Sequence, residues 1–111
     1  EVSTTGPTYC AELKDGKISE FEIRPEIINI PNTTLQDLTG GNPKENAKEI
    51  IDLFNGKKGP FTDIVILNAA SALMGTGNAN NFNEAKEKAL ESIENKKALK
   101  TLNDLINITN S

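Results

Sequence analysis

The stretch from Pro60 to Met74 constrains this chain most. Phe61, Ile64, Val65, Ile66, Leu67, Ala69, Ala70, Ala72, Leu73 and Met74 put apolar side chains on nearly every face. A helix apolar all round belongs in a core, covered by other elements. The β-branched run Ile64-Val65-Ile66 also reads as a buried strand. Helix is favoured, because Asn68-Ala69-Ala70-Ser71-Ala72-Leu73 carries the stretch past strand length and alanine is a strong helix former. Gly75 and Gly77 end it.

The cover on offer is thin. A hairpin comes first: Tyr9, Ala11 and Leu13 alternate with Cys10, Glu12 and Lys14, Phe21 and Ile23 alternate with Glu20, Glu22 and Arg24, and Asp15-Gly16 supplies a two-residue turn. Ile18 falls out of phase with Phe21 and Ile23, which predicts a bulge or register shift near Ser19. Pro25 ends the second strand by removing a backbone donor. Residues 26–41 form a connector in which Leu35 and Leu38 face one side of a short helical turn. A helix then starts at Asn42, with Pro43 at its first position and Glu45 completing a capping box. Its stripe is Ala47, Ile50, Ile51 and Phe54, and Asn55-Gly56 stops it. Asn81, with Glu84 at the capping-box position, opens a third helix with Phe82, Ala85, Ala89, Leu90 and Ile93 on one side. Asn95 is read as the cap of a last helix, with stripe Leu99, Leu102, Leu105 and Ile106 and a fraying end. Two strands alone are marginal in water, and these stripes cannot surround the apolar helix. The segment therefore reads as part of a larger α/β fold that self-associates, with helix 60–74 at or near the interface.

Composition removes several classes of chemistry. There is no histidine among the 111 residues, which excludes Ser-His-Asp and Cys-His catalysis and histidine zinc sites from this chain. Cys10 is the one cysteine; it forms no internal disulfide, which favours a reducing cytoplasm, and it reads as a small buried or edge residue. A net charge of −4 with a single arginine, Arg24, argues against nucleic-acid binding. No apolar run approaches the roughly 18 residues of a membrane span. The start, Glu1-Val2-Ser3-Thr4-Thr5, is no secretory signal, and without Met it reads as a cut end.

Few local motifs carry chemistry. Gly75-Thr76-Gly77-Asn78 resembles a phosphate loop only superficially: it follows a helix, so its first role is to end one. Thr4-Thr5-Gly6-Pro7-Thr8 reads as a turn into the hairpin. Gly56-Lys57-Lys58-Gly59 reads as a solvated basic loop, and Glu12, Glu20, Glu22 and Glu26 as solvent-face charges with no Ca²⁺-loop pattern.

The order of these signals is what identifies a relative. Glu1-Val2-Ser3, Gly6-Pro7-Thr8, Glu12-Leu13, Gly16 and Pro25-Glu26 come first. Leu38, Gly40-Gly41, Glu45-Asn46-Ala47, Gly56, Gly59-Pro60, Asp63 and Leu67-Asn68-Ala69-Ala70 follow. Together they resemble the C-terminal region of the anthranilate phosphoribosyltransferases. Asn29 departs from the glycine often found after the Pro-Glu pair, but asparagine tolerates the same left-handed backbone.

The resemblance implies that residues 1–111 are the C-terminal segment of the larger α/β catalytic domain, of the nucleoside phosphorylase/phosphoribosyltransferase type. Here that segment is a β-hairpin followed by three or four helices. The missing N-terminal part would hold the helical domain, the glycine-rich phosphate loop and the anthranilate contacts. The implied reaction moves a phosphoribosyl group from phosphoribosyl pyrophosphate to anthranilate in tryptophan biosynthesis, in a cytoplasmic homodimer using Mg²⁺. Glu1 matches the glutamate of an adjacent Asp-Glu pair for Mg²⁺, and is the metal-site residue the resemblance gives this chain. The segment alone is expected to be inactive. Two other readings compete. One is a non-catalytic interaction module retaining a remnant of this fold, discriminated by whether an Asp codon or a start codon precedes Glu1. The other is a nucleoside phosphorylase, disfavoured by the Glu1–Leu13 signature.

Overall fold

The computed structural model describes residues 1–111. Strands β1 (Thr8–Lys14) and β2 (Lys17–Ile23) form a two-stranded antiparallel sheet, joined at Asp15 (φ 52°) and Gly16 (φ 75°). Positive φ at both central residues matches the right-handed twist of the strands. The expected bulge is absent. Pairing runs without interruption from Thr8 opposite Ile23 through Leu13 opposite Ile18 to Lys14 opposite Lys17. Ile18 is out of phase with Phe21 and Ile23 because it shares the other face with Leu13 and Tyr9. That second face is open: Tyr9, Leu13 and Ile18 are 78%, 72% and 74% exposed. The opposite face turns inward at its lower end, where Ile23 is buried and Cys10 packs against the core.

Pro25 begins a 3-10 turn (Pro25–Ile28) that Asn29 closes in the left-handed conformation, as its side chain permits. Ile28 and Ile30 are buried there, and Lys86 Nζ donates to the Ile28 carbonyl at 2.6 Å. A second 3-10 turn covers Gln36–Leu38. Only Leu38 is half-buried; Leu35 points to solvent.

Helix α1 (Pro43–Phe54) carries the capping box the sequence predicts: Asn42 Oδ1 accepts from the Glu45 N–H at 2.9 Å, and Glu45 Oε2 accepts from the Asn42 N–H at 2.8 Å. Its expected stripe does not pack. Ala47, Ile50 and Ile51 are exposed, Phe54 is half-buried and Leu53 is the buried residue. The cause is sparse contact between α1 and its neighbours α2, α3 and α4. The Pro60 segment is a helix, α2 (Pro60–Gly75), with Ile66, Leu67 and Ala70 buried. Its end is a Schellman motif: the Asn78 N–H bonds the Leu73 carbonyl at 2.9 Å and the Gly77 N–H bonds Met74 at 3.2 Å.

Helix α3 (Phe82–Glu94) packs Ala85, Ala89 and Ile93 inward and is the main partner of α2. Asn81 caps it through the Glu84 N–H at 2.8 Å, but the Glu84 carboxylate bonds the N–H of Asn80, one residue earlier than a capping box requires. Asn95 does not cap α4 (Lys97–Thr109). It prolongs α3 by bonding the Glu91 carbonyl, and Lys96 at φ 60° makes the break as the N-cap residue of α4, with no side-chain cap. One left-handed residue suffices to separate the two helices, which leaves Asn95 no helix end to cap. Helix α4 runs to Thr109; Leu99 and Leu102 are half-buried, while Leu105 and Ile106 are exposed. With 13 of 111 residues buried, the core is small. The open apolar surface lies mainly on the hairpin, α1 and α4, while α3 covers much of α2. No helix is long and apolar enough to cross a membrane.

Candidate functional site

The residues before β1 form a strap laid against the middle of α2 and the connector. Val2 is held at both of its backbone polar groups by one side chain: Asn68 Oδ1 accepts from the Val2 N–H at 2.8 Å, and Asn68 Nδ2 donates to the Val2 carbonyl at 2.7 Å. The Ser3 N–H donates to Thr8 Oγ1 at 2.9 Å, and Ser3 Oγ accepts from the Thr5 N–H at 3.0 Å. Thr4 is fully buried; its hydroxyl meets that of Thr33 at 2.7 Å, and its carbonyl accepts from the Thr33 N–H at 2.8 Å. A tethered strap of hydroxyls and backbone thus replaces the plain turn that Thr4–Thr8 suggests in sequence.

Glu1 stands at the free end of this strap. Its carboxylate is exposed and takes part in none of the ion pairs or side-chain hydrogen bonds. No group of three or more His, Cys, Asp or Glu side chains gathers anywhere in the chain. Glu1 therefore offers a single carboxylate, with no acidic cluster around it; one or two carboxylates, with water and substrate phosphates, are the usual ligands of a hard divalent cation such as Mg²⁺.

The other sequence candidates do not converge on Glu1. Cys10 is half-buried, with its Sγ 3.7 Å from the Thr8 carbonyl. The N–H groups of Gly77 and Asn78 are spent ending α2, so they are not directed at an anion. Lys57 grips both oxygens of Glu49, at 2.8 and 2.9 Å. Glu22 pairs with Arg24 at 2.9 Å, and Glu26 accepts from Asn32. Hydrogen bonds to its own backbone and to Asn32 hold the Glu26 carboxyl below the usual range. Asp63, in the first turn of α2, is pushed up by partial burial against the opposing pull of Lys86. A groove of about 430 Å³ between α2 and α3 is lined mainly by apolar side chains, among them Val65, Ala69, Leu73 and Ala89, with Thr76, Lys88 and Ser92 also on its wall.

Asn68 and the Thr4–Thr33 pair are contributions sequence reading missed. The available signal was an amide in the middle of a helix apolar on nearly every face, since a buried polar group needs partners.

The family model for the glycosyl transferase family, a/b domain, matches residues 1–99. Among curated proteins, an anthranilate phosphoribosyltransferase of Methanosarcina acetivorans is 41% identical over 109 residues, covering 98% of this chain and 30% of the relative. One of Azospirillum brasilense is 44% identical over 111 residues, covering 100% of this chain and 31% of the relative. One of Caulobacter vibrioides is 40% identical over 111 residues, covering 100% and 33%. The chain thus spans about a third of the length of the curated relatives it matches.

Proposed function

Because the chain belongs to the glycosyl transferase family at its α/β domain, we propose that it is the C-terminal part of an anthranilate phosphoribosyltransferase. The observation that carries this reading is the unbroken likeness, at 40–44% identity, across 98–100% of the chain to proteins of that name. The reading brings with it phosphoribosyl pyrophosphate and anthranilate as substrates, Mg²⁺, a place in tryptophan biosynthesis, a cytoplasmic setting and a homodimer.

In the proposed reaction the anthranilate nitrogen bonds to the ribose anomeric carbon. The bond from that carbon to pyrophosphate breaks, the electron pair leaves with pyrophosphate, and the nitrogen loses its proton. Mg²⁺, when bound, neutralises charge on the departing pyrophosphate. This chain contributes Glu1 as an oxygen ligand and the strap that holds its backbone. In this reading the chain's share in catalysis is positioning, through the scaffold and one carboxylate of the metal site.

The test is anthranilate consumption by the full-length gene product, with phosphoribosyl pyrophosphate and Mg²⁺, beside residues 1–111 alone. Turnover by the full-length protein and none by the segment is expected. A full-length protein that leaves anthranilate untouched refutes the activity. Turnover by the segment refutes the division of labour.

A further inference from the structure

We propose that Asn68 is a positioning residue for the metal-facing end of the strap: its carboxamide fixes the backbone of Val2 and thereby presents the Glu1 carboxylate. This rests on the reading above that Glu1 binds the divalent cation. The geometry is specific to an amide. Oδ1 accepts from the Val2 N–H at 2.8 Å while Nδ2 donates to the Val2 carbonyl at 2.7 Å, so one planar group grips both polar groups of one residue, as a neighbouring strand would. The second Nδ2 hydrogen goes to the Ile64 carbonyl at 3.0 Å, one turn back in α2, which fixes the side chain's direction. Both amide hydrogens are then used.

The grip spans 66 positions of sequence and joins the strap to the helix that carries much of the core. Glu1 makes no contact of its own that would hold it, so its location follows from Val2, one peptide away. Thr4 pins the strap farther along through Thr33. These two anchors fix the backbone from Val2 to Thr4, and the Glu1 carboxylate projects one peptide beyond the first of them. Groups behind a metal ligand that set its orientation typically change metal affinity tenfold or more when removed.

The experiment is a titration of the full-length protein with Mn²⁺, standing in for Mg²⁺, in the presence of inorganic pyrophosphate and followed by electron paramagnetic resonance. Hydrogen exchange is read at the Val2 and Ser3 amides of the same samples. Asn68→Ala deletes the grip. Asn68→Asp keeps the volume inside α2 but replaces the donor with an acceptor facing two carbonyls, and serves if the alanine variant does not fold. Ser71→Ala, which removes only a bond to the Leu67 carbonyl within α2, is the control. Both Asn68 variants are expected to bind Mn²⁺ about tenfold more weakly, with faster exchange at Val2 and Ser3. The apparent KM for Mg²⁺ should rise while kcat at saturating Mg²⁺ is retained; Ser71→Ala should change none of these. Unchanged Mn²⁺ affinity despite faster exchange makes Asn68 a residue of the fold only and overturns the proposal, as does unchanged exchange. A wild-type protein that binds Mn²⁺ but does not consume anthranilate defeats the functional reading instead, and the Mn²⁺ and exchange results still decide the role of Asn68.

Discussion

Thr4 and Thr33 share one hydrogen bond, yet removing it from either side should cost different amounts. Thr4 is fully buried, whereas Thr33 is half-buried. Their hydroxyls meet at 2.7 Å, and Thr4 Oγ1 has no other partner. Valine replaces threonine with nearly the same shape. In Thr4→Val the orphaned hydroxyl belongs to Thr33, which reaches water on its open side, so the loss is about 1 kcal/mol, the net worth of a neutral hydrogen bond. In Thr33→Val the orphan is the Thr4 hydroxyl, sealed from water, and the loss rises to about 2–3 kcal/mol, the penalty for a buried unsatisfied group. The double variant should cost less than the sum, with a coupling of about 1 kcal/mol. The assay is native-state hydrogen exchange at the Thr33 amide, which bonds the Thr4 carbonyl at 2.8 Å and so reports opening of the strap. Equal single losses, a larger loss for Thr4→Val, or strict additivity would refute the reasoning.

Leu67→Ala, at a site fully closed to solvent in α2, should destabilise by about 2–5 kcal/mol in urea unfolding without changing the m-value. Asn42→Ala should cost about 1 kcal/mol by removing one half of the α1 capping box, seen as faster exchange at the Glu45 amide. Asp63 titrates above its ordinary value because burial outweighs Lys86. The folded state therefore holds that proton more tightly than the unfolded state, and the contribution of Asp63 to stability falls as pH rises through the window between the two values, against the opposite trend of Glu26, Asp37 and Glu84. Asp63→Asn should remove this fall, which unfolding curves collected from about pH 3 to pH 6 will show.

The parts of the fold legible in the sequence are those set by local chemistry. Asp15-Gly16 specifies its turn, Asn42 and Glu45 their box, and Gly77 the end of α2, because each acts on its own backbone within a few residues. The errors arose where the outcome depended on partners. The stripe of α1 has the right period, but too few neighbours reach it for Ile50 and Ile51 to be buried. Ile18 is out of phase without any bulge because a strand pair has two faces, and apolar residues occupy both. Asn95 has a capping side chain, yet the chain turns one residue later, at Lys96. At the site, the resemblance singles out Glu1 but not what holds its base. The partner of Val2 lies 66 positions away, a separation that no local pattern reports.

The hairpin leaves strand edges open in this segment. Its sheet has only two strands, so each keeps one edge with unpaired N–H and C=O groups. Tyr9, Leu13 and Ile18 form an apolar ribbon beside those edges. Such an edge is a template for further strand addition, and neither proline nor a bulge blunts it here. Glu20, on the same face as Leu13 and Ile18, and Lys14 and Lys17, opposed at the tip, carry the like charges that repel a second ribbon. Removing them would favour edge-to-edge aggregation, and adding a lysine in place of Ile18 would keep separate copies apart in solution.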